Sequence, residues 1–143
     1  MRSASREAEE IARDCLASRA RHLNRVLTRL YDGALRDHGV TGAQLGMLVA
    51  LELGGPTTPA WVGRRLELEK STVSRNLARL SAAGLVEASP AGLRVTPRGS
   101  ALIRACHPVW LKAQEGATAA LGRERLRLLS AVAGPGPKKG DLS

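Results

Sequence analysis

The sequence predicts a mainly α-helical protein with one short β-hairpin. Hydrophobic residues make up 43% of the 143 residues but aromatic residues only 2%, so the core must be built from leucine, valine and alanine, which suits packed helices. Apolar residues recur at steps of three and four along most of the chain, as they do on one face of a helix. Two short β-prone runs flank a Ser-Pro-Ala-Gly turn at 89–92, which is typical of a hairpin.

The first predicted helix is long and runs from residue 6 to residue 38. Its apolar stripe has heptad spacing through Leu16, Leu23, Leu27 and Leu30, the pattern of a helix that packs along its length against another helix. Gly39 is expected to end it.

Local capping signals mark the later helices. A capping box begins at Thr41, and threonine–proline pairs begin at Thr58 and Thr96, each with threonine at the N-cap and proline at the first helical position. Gly84 is placed as a C-terminal glycine. The predicted helices cover 41–54, 58–66, 69–83, 97–121 and 123–133, the predicted strands cover 85–88 and 93–96, and the tail at 134–143 is predicted to be disordered.

The short helices at 58–66 and 69–83 form a helix-turn-helix, and the hairpin follows them as a wing. The second helix turns Val73, Leu77 and Leu80 inward, and no acidic residue occurs from Lys70 to Val86. The chain carries a formal net charge of +9. A basic, polar helix face favours phosphates and base edges as partners. The predicted contacts to double-stranded DNA are Arg64, Arg65, Lys70, Ser71, Thr72, Ser74, Arg75, Asn76, Arg79 and Arg94.

A known family shares these features. The run KSTVSRNL at 70–77, with Leu80 and GLV at 84–86, closely resembles the recognition helix and first strand of MarR-type transcriptional regulators, and VTPRG at 95–99 resembles the segment after their wing. The resemblance extends over about residues 11–133. It implies a homodimer joined through 6–38 and 97–133, with 41–96 as the DNA-binding lobe. It also implies a repressor that binds a palindromic operator and is released by a small-molecule or redox signal.

The sequence departs from the family pattern in three places. The wing is short and has Arg94 as its one clear cation, Trp61 occupies a position that is usually polar, and Glu67 stands where the turn often carries glycine. Wing contact with DNA is therefore the least secure part of the predicted interface.

The resemblance places a small-molecule effector in the crevice between the dimer helices and the lobe. The candidates to line it are Leu27, Tyr31, Met47 and Trp110, each of which can equally be ordinary core. If the protein senses oxidants, Cys15 is the predicted thiol, because Arg13 and Arg19 lie near it in sequence, whereas Cys106 lies on a buried stripe. The alternative is that both cysteines are inert.

Other classes have little support in the sequence. It has no P-loop and no GxSxG motif, so no enzyme is predicted, and no CxxC or HxxxH spacing, so no metal or other cofactor is expected. No apolar run approaches ~18 residues, and the first residues lack the apolar core of a signal peptide, so a cytoplasmic protein without membrane contact is expected. The alternative function is a winged-helix interaction module that binds protein or RNA through its basic face.

Overall fold

The computed structural model describes residues 2–134, with side chains from residue 4 onward. Within that range the predicted mainly α fold with one hairpin is confirmed. Nine residues of the tail that was predicted to be disordered, 135–143, lie outside the described part. The elements in chain order are α1 (Arg2–Asp14), α2 (Leu16–Leu35), a 3₁₀ turn (Arg36–His38), α3 (Gly42–Gly54), α4 (Pro59–Leu66), α5 (Lys70–Ala82), β1 (Val86–Ser89), β2 (Gly92–Val95), α6 (Pro97–Leu121) and α7 (Arg123–Ala133).

The first predicted helix is interrupted. Cys15 has an extended backbone, with φ −65° and ψ 108°, between α1 and α2, and the last turn of the predicted helix tightens into the 3₁₀ turn. The prediction of one continuous helix over 6–38 is therefore wrong at both places. Apolar periodicity is insensitive to a single residue that leaves the helical conformation, so the pattern carried no sign of the break. Gly39 ends the segment with a left-handed φ of 71°, as predicted.

The capping signals are confirmed. The Thr41 hydroxyl accepts a hydrogen bond from the Gln44 amide at 3.2 Å, and the Gln44 side chain accepts one from the Thr41 amide at 3.0 Å. Thr58 and Thr96 cap α4 and α6 in the same way through their hydroxyls. Each cap satisfies an amide that the first helical turn leaves without a partner, so the helix starts follow from local chemistry alone.

The hydrophobic core lies around α3 and is shared by every element of the lobe. Leucines of α3 pack with the inner faces of α4 and α5, with the hairpin and with Cys106 of α6. Full burial of a leucine or valine contributes roughly 1.5–3 kcal/mol, so α3 anchors the helix-turn-helix. The largest fully buried side chains are Leu35, Met47, Leu48, Leu51, Val62, Val73, Leu80 and Cys106.

The hairpin is fixed to the loop that precedes α4. Its strands pair antiparallel, with Val86 opposite Val95. Each strand is shifted by one residue from its predicted range. Leu93 also pairs with Thr57 through two backbone hydrogen bonds of 2.8 and 3.0 Å. Gly92 has a φ of 126°, and a Cβ there would lie 2.7 Å from the Thr57 carbonyl oxygen. Only glycine fits this contact, which holds the wing beside the helix-turn-helix.

The outer helices (α1, α2, α6 and α7) have a different character. Helix α7 has no buried residue, and large apolar side chains are exposed along α1, α2 and α7. No helix in the described part of the chain is both long and apolar enough to cross a membrane. The exposed apolar residues of these three helices are Ile11, Leu16, Val26, Leu128 and Val132.

Candidate nucleic-acid interface

The turn between α4 and α5 is tight and strained at one residue. Glu67 has φ 53° and ψ 44°, and it is the one residue other than glycine with positive φ in the described range. Its amide donates to the Arg64 carbonyl, and the Leu68 amide donates to Gly63 at 2.9 Å. An L-residue pays a steric cost in this conformation. The geometry explains why a glycine suits this position.

Helix α5, called the recognition helix below, turns its polar face outward. Val73, Leu77 and Leu80 are buried as predicted, and the helix has no acidic side chain over its length. Within the part of the chain that the structure describes, Arg75 and Arg79 form no ion pair, so both guanidinium groups are available for an anion. The exposed polar residues of this face are Lys70, Ser71, Ser74, Arg75 and Arg79.

Asn76 and Thr72 are only half exposed, which corrects the expectation that both present freely to solvent. The Asn76 oxygen accepts from the Gln44 side chain at 3.1 Å, and its amide nitrogen donates to the Thr72 carbonyl at 2.9 Å. The side chain therefore turns toward α3. The signal was present in the sequence, because Asn76 follows Val73 by three positions and precedes Leu80 by four, which is inner-face spacing.

An open cleft of about 660 Å³ lies between α4, the recognition helix and β2. Its floor is apolar, with Val73, Leu77 and Leu93, while Arg64 and Lys70 add positive charge to its lining. Arg65, the other predicted contact of α4, is half-buried. Of the predicted contacts, the cleft thus brings together Arg64 of α4 with Lys70 and Ser74 of the recognition helix.

The wing cation is already paired. The Arg94 guanidinium contacts the Glu87 carboxylate across the two strands at 2.7 and 2.8 Å, because Glu87 and Arg94 are directly opposite in the register. Both side chains are about half exposed. The pair cancels the charge that the predicted wing contact needs.

The four predicted effector residues do not line the cleft of the lobe. Met47 is completely buried in the core, and Leu27 is half-buried. Tyr31 is half-buried, its hydroxyl donates to the Gln114 side chain, and burial raises the pKa of that hydroxyl. Trp110 is exposed and stacks on His107 with ring centroids 6.1 Å apart.

The two cysteines are free thiols in different surroundings. Hydrogen bonds from Ser18 lower the pKa of the Cys15 thiol, with a smaller contribution from Arg21. The cations expected beside it are occupied elsewhere, since Arg13 pairs with Asp14 at 3.0 Å and Arg19 donates to the Arg13 carbonyl. Cys106 is buried, and burial raises the pKa of its thiol.

Within residues 2–134 no group of three histidine, cysteine or acidic side chains is arranged to hold a metal ion. The site therefore consists of cations, hydroxyls and an apolar floor. Such a surface can bind an anion by charge and hydrogen bonding.

A helix-turn-helix with a hairpin wing, set between outer helices, defines a winged helix-turn-helix protein. Residues 38–94 match the family model of the MarR family, and no curated protein matches the sequence significantly. The structure aligns with the M. tuberculosis transcriptional regulator MosR over 85% of this chain and 93% of that one, with a TM-score of 0.76 and 29% identity. Residues 38–94 are therefore similar to the MarR family, and the fold as a whole is similar to that of a solved transcriptional regulator.

Two other solved structures share the fold. A MarR mutant from E. coli, complexed with operator DNA, aligns over 87% of this chain and 94% of its own, with a TM-score of 0.75 and 21% identity. Bordetella bronchiseptica BpsR, whose DNA binding is regulated by 6-hydroxynicotinic acid, aligns over 85% and 95% with a TM-score of 0.70 and 21% identity. The outer helices, which the family model does not include, are thus also part of the common architecture.

Proposed function

We propose that this chain is a transcriptional repressor that binds a palindromic DNA operator as a homodimer. The observation that carries the proposal is the exposed face of the recognition helix, opposite its buried apolar stripe. This face carries three polar side chains and two arginines that form no ion pair within residues 2–134. The complex of the E. coli relative with operator DNA supports the same use of this fold.

In this proposal the recognition helix enters the major groove. Arg75 and Arg79 lie one turn apart, so both can reach base edges or flanking phosphates of one half-site. The remaining residues of the interface, Arg64, Arg65, Lys70, Ser71, Thr72 and Ser74, bind the DNA backbone and fix the position of the helix on it.

The proposed dimer forms through residues 6–38 and 97–133. Support comes from the apolar side chains that α1, α2 and α7 expose, because a monomer rarely leaves such faces uncovered. A two-fold dimer presents its two recognition helices to half-sites that are about 10–10.5 base pairs apart, or a multiple of that. The operator is palindromic for the same reason.

The test is a binding titration with a duplex selected from random sequences. Arg75→Ala or Arg79→Ala is expected to weaken operator binding by roughly 1–3 kcal/mol if the arginine contacts a base. If the arginine contacts only phosphate, its substitution should weaken binding about equally for all sequences and lower the salt dependence of binding. Arg104→Ala, which removes an exposed arginine of α6, is the matched control and should change neither quantity.

Unchanged binding in both recognition-helix variants would refute the proposed interface. An RNA of random sequence that competes as well as the selected duplex would favour the alternative, a basic interaction module for RNA or protein.

The release signal in this proposal is a small molecule, as it is for the B. bronchiseptica relative. Tyr31, Leu27 and Trp110 remain candidates to contact it, whereas the complete burial of Met47 limits that residue to supporting the site. A redox signal through Cys15 is the second candidate, favoured by the hydrogen bonds that lower the pKa of its thiol. Peroxide should then weaken operator binding in the parent but not in Cys15→Ser.

A further inference from the structure

Gln44 is the one polar side chain among the described residues that is buried, with 7% of its surface exposed. Both ends of its carboxamide are engaged. The oxygen accepts from the Thr41 amide at 3.0 Å and closes the cap of α3, while the nitrogen donates to the Asn76 oxygen at 3.1 Å. A buried amide that satisfies two elements at once is bound in one orientation, because any other leaves a buried polar group without a partner.

Asn76 is held just as completely on the recognition helix. Its oxygen accepts from Gln44, and its nitrogen donates to the Thr72 carbonyl of the preceding turn. The rest of the inner face of this helix is apolar, with Val73, Leu77 and Leu80 buried against the core. Apolar contacts tolerate small rotations and shifts, whereas a hydrogen bond has a preferred distance and angle. The Gln44–Asn76 bond is therefore a directional contact that fixes the orientation of the recognition helix relative to the core.

The same turn of α3 is also bound to α2. An Asp32 carboxylate oxygen accepts from the Gly42 amide at 2.7 Å, at the N-terminal turn where negative charge is favourable. The first turn of α3 is thus hydrogen-bonded to α2 through Gly42 and to the recognition helix through Gln44. It joins the helices of the proposed dimer to the surface that is proposed to bind DNA.

We propose that Asn76 and Gln44 are positioning residues for operator recognition, and that Asn76 acts through Gln44 rather than by contacting DNA. Their bond sets the rotation of the recognition helix, so that Arg75 and Arg79 both reach their targets in one half-site. This assignment rests on the proposed DNA-binding function and replaces the sequence-based expectation that Asn76 contacts DNA itself.

Two substitutions remove this bond from opposite ends. Gln44→Glu keeps an oxygen for the Thr41 amide, since glutamate serves equally in a capping box, but its carboxylate cannot donate to the Asn76 oxygen. The Asn76 amide could donate to that carboxylate only by turning over, which would place its own oxygen against the Thr72 carbonyl. Asn76→Leu keeps the size of the side chain and removes the acceptor. Asn24→Leu is the matched control, because Asn24 is an exposed asparagine of α2, away from the recognition helix. Asn76→Ala is a second variant in case the leucine does not fit.

The experiment measures the dissociation constants for the selected operator and for an unrelated duplex of equal length, together with the melting temperature. Both bond-breaking variants are expected to lose about ten-fold or more of the operator preference, while affinity for the unrelated duplex and its salt dependence stay near the parent values. The double variant Gln44→Glu/Asn76→Leu should lose no more operator preference than the single variant with the larger loss, because both changes remove one shared bond.

Three results would overturn the assignment. Loss of preference in Asn76→Leu and Asn76→Ala, with full preference in Gln44→Glu, would mean that Asn76 contacts DNA directly. A lower melting temperature with unchanged preference in every variant would mean that the bond serves stability alone. A parent protein that prefers no duplex over any other would refute the proposed function itself, and with it this role, before any variant is compared.

Discussion

The lobe that carries the recognition helix and the outer helices that flank it bury their apolar residues very differently. Leu48 of the lobe has 0% of its surface exposed, whereas Leu16 of α2 has 76% and Val132 of α7 has 88% exposed. The lobe thus completes a core within one chain, while the outer helices leave leucine and valine uncovered. The proposed dimer would cover these side chains, so that folding and assembly would be divided between the two regions.

The two regions are nevertheless connected. The core includes Leu35 at the end of α2 and Cys106 of α6, and the Asp32–Gly42 hydrogen bond joins α2 to the first turn of α3. A displacement of the outer helices can therefore reach the lobe through these contacts. In the proposed dimer, this connection would give the interface a route to the recognition helices.

The largest expected effect separates the two regions by stability. Leu48→Ala should lower the free energy of unfolding by about 2–5 kcal/mol, since it leaves a cavity in a packed core, and the loss should not depend on protein concentration. Leu128→Ala is the control: Leu128 is 55% exposed, so its loss should appear only at concentrations where dimers form. Denaturant unfolding at two protein concentrations measures both. Equal losses for Leu128→Ala at both concentrations would contradict the proposed division.

The next effect concerns assembly. Leu16→Asp should weaken dimerisation at least ten-fold, which is about 1.4 kcal/mol, because a charge would be placed in the proposed interface. Asn24→Asp adds the same charge on α2 away from the apolar stripe and should leave the dimer intact. Sedimentation of both variants across a range of concentrations gives the constants. Equal dimer stability in Leu16→Asp and Asn24→Asp would show that the apolar stripe is not part of the interface.

Local signals in the sequence were sufficient for most element boundaries. Thr41, Thr58 and Thr96 each cap the helix that was predicted to start there, because a cap depends on residues within one turn. The break at Cys15 was missed for the opposite reason, since no residue near it has the strong signature of a helix end. Helix existence follows from periodicity, but the continuity of a long helix does not.

The predicted site was incomplete where it depended on neighbours distant in sequence. Gln44 and Asn76 are 32 positions apart, and the polar character of Asn76 suggested solvent although its spacing favoured the inner face. Glu87 and Arg94 likewise become partners only through the hairpin register. Residue type alone indicates what a side chain can bind, whereas packing decides which partner is present.

A smaller effect is expected at the turn of the helix-turn-helix. Glu67→Gly should stabilise the lobe by about 1 kcal/mol, because glycine adopts positive φ without steric cost. Glu69→Gly removes the same charge at a residue with φ −62° and should bring no such gain. Thermal unfolding of the two variants separates strain from charge. A similar shift in both would show that the conformation of Glu67 is not costly.

The smallest effect lies in the wing. Exposed ion pairs contribute about 0.2–1 kcal/mol, so Glu87→Gln should leave stability nearly unchanged and release Arg94, whose guanidinium now contacts the Glu87 carboxylate at 2.7 Å. Affinity for all duplexes should then rise slightly, with a salt dependence steeper by up to about one counterion. Glu115→Gln, on an exposed site of α6, is the control for the change in net charge. Arg94→Ala could instead weaken DNA binding strongly while Glu87→Gln has no effect. That result would mean that Arg94 leaves Glu87 to bind DNA and that the wing is part of the interface.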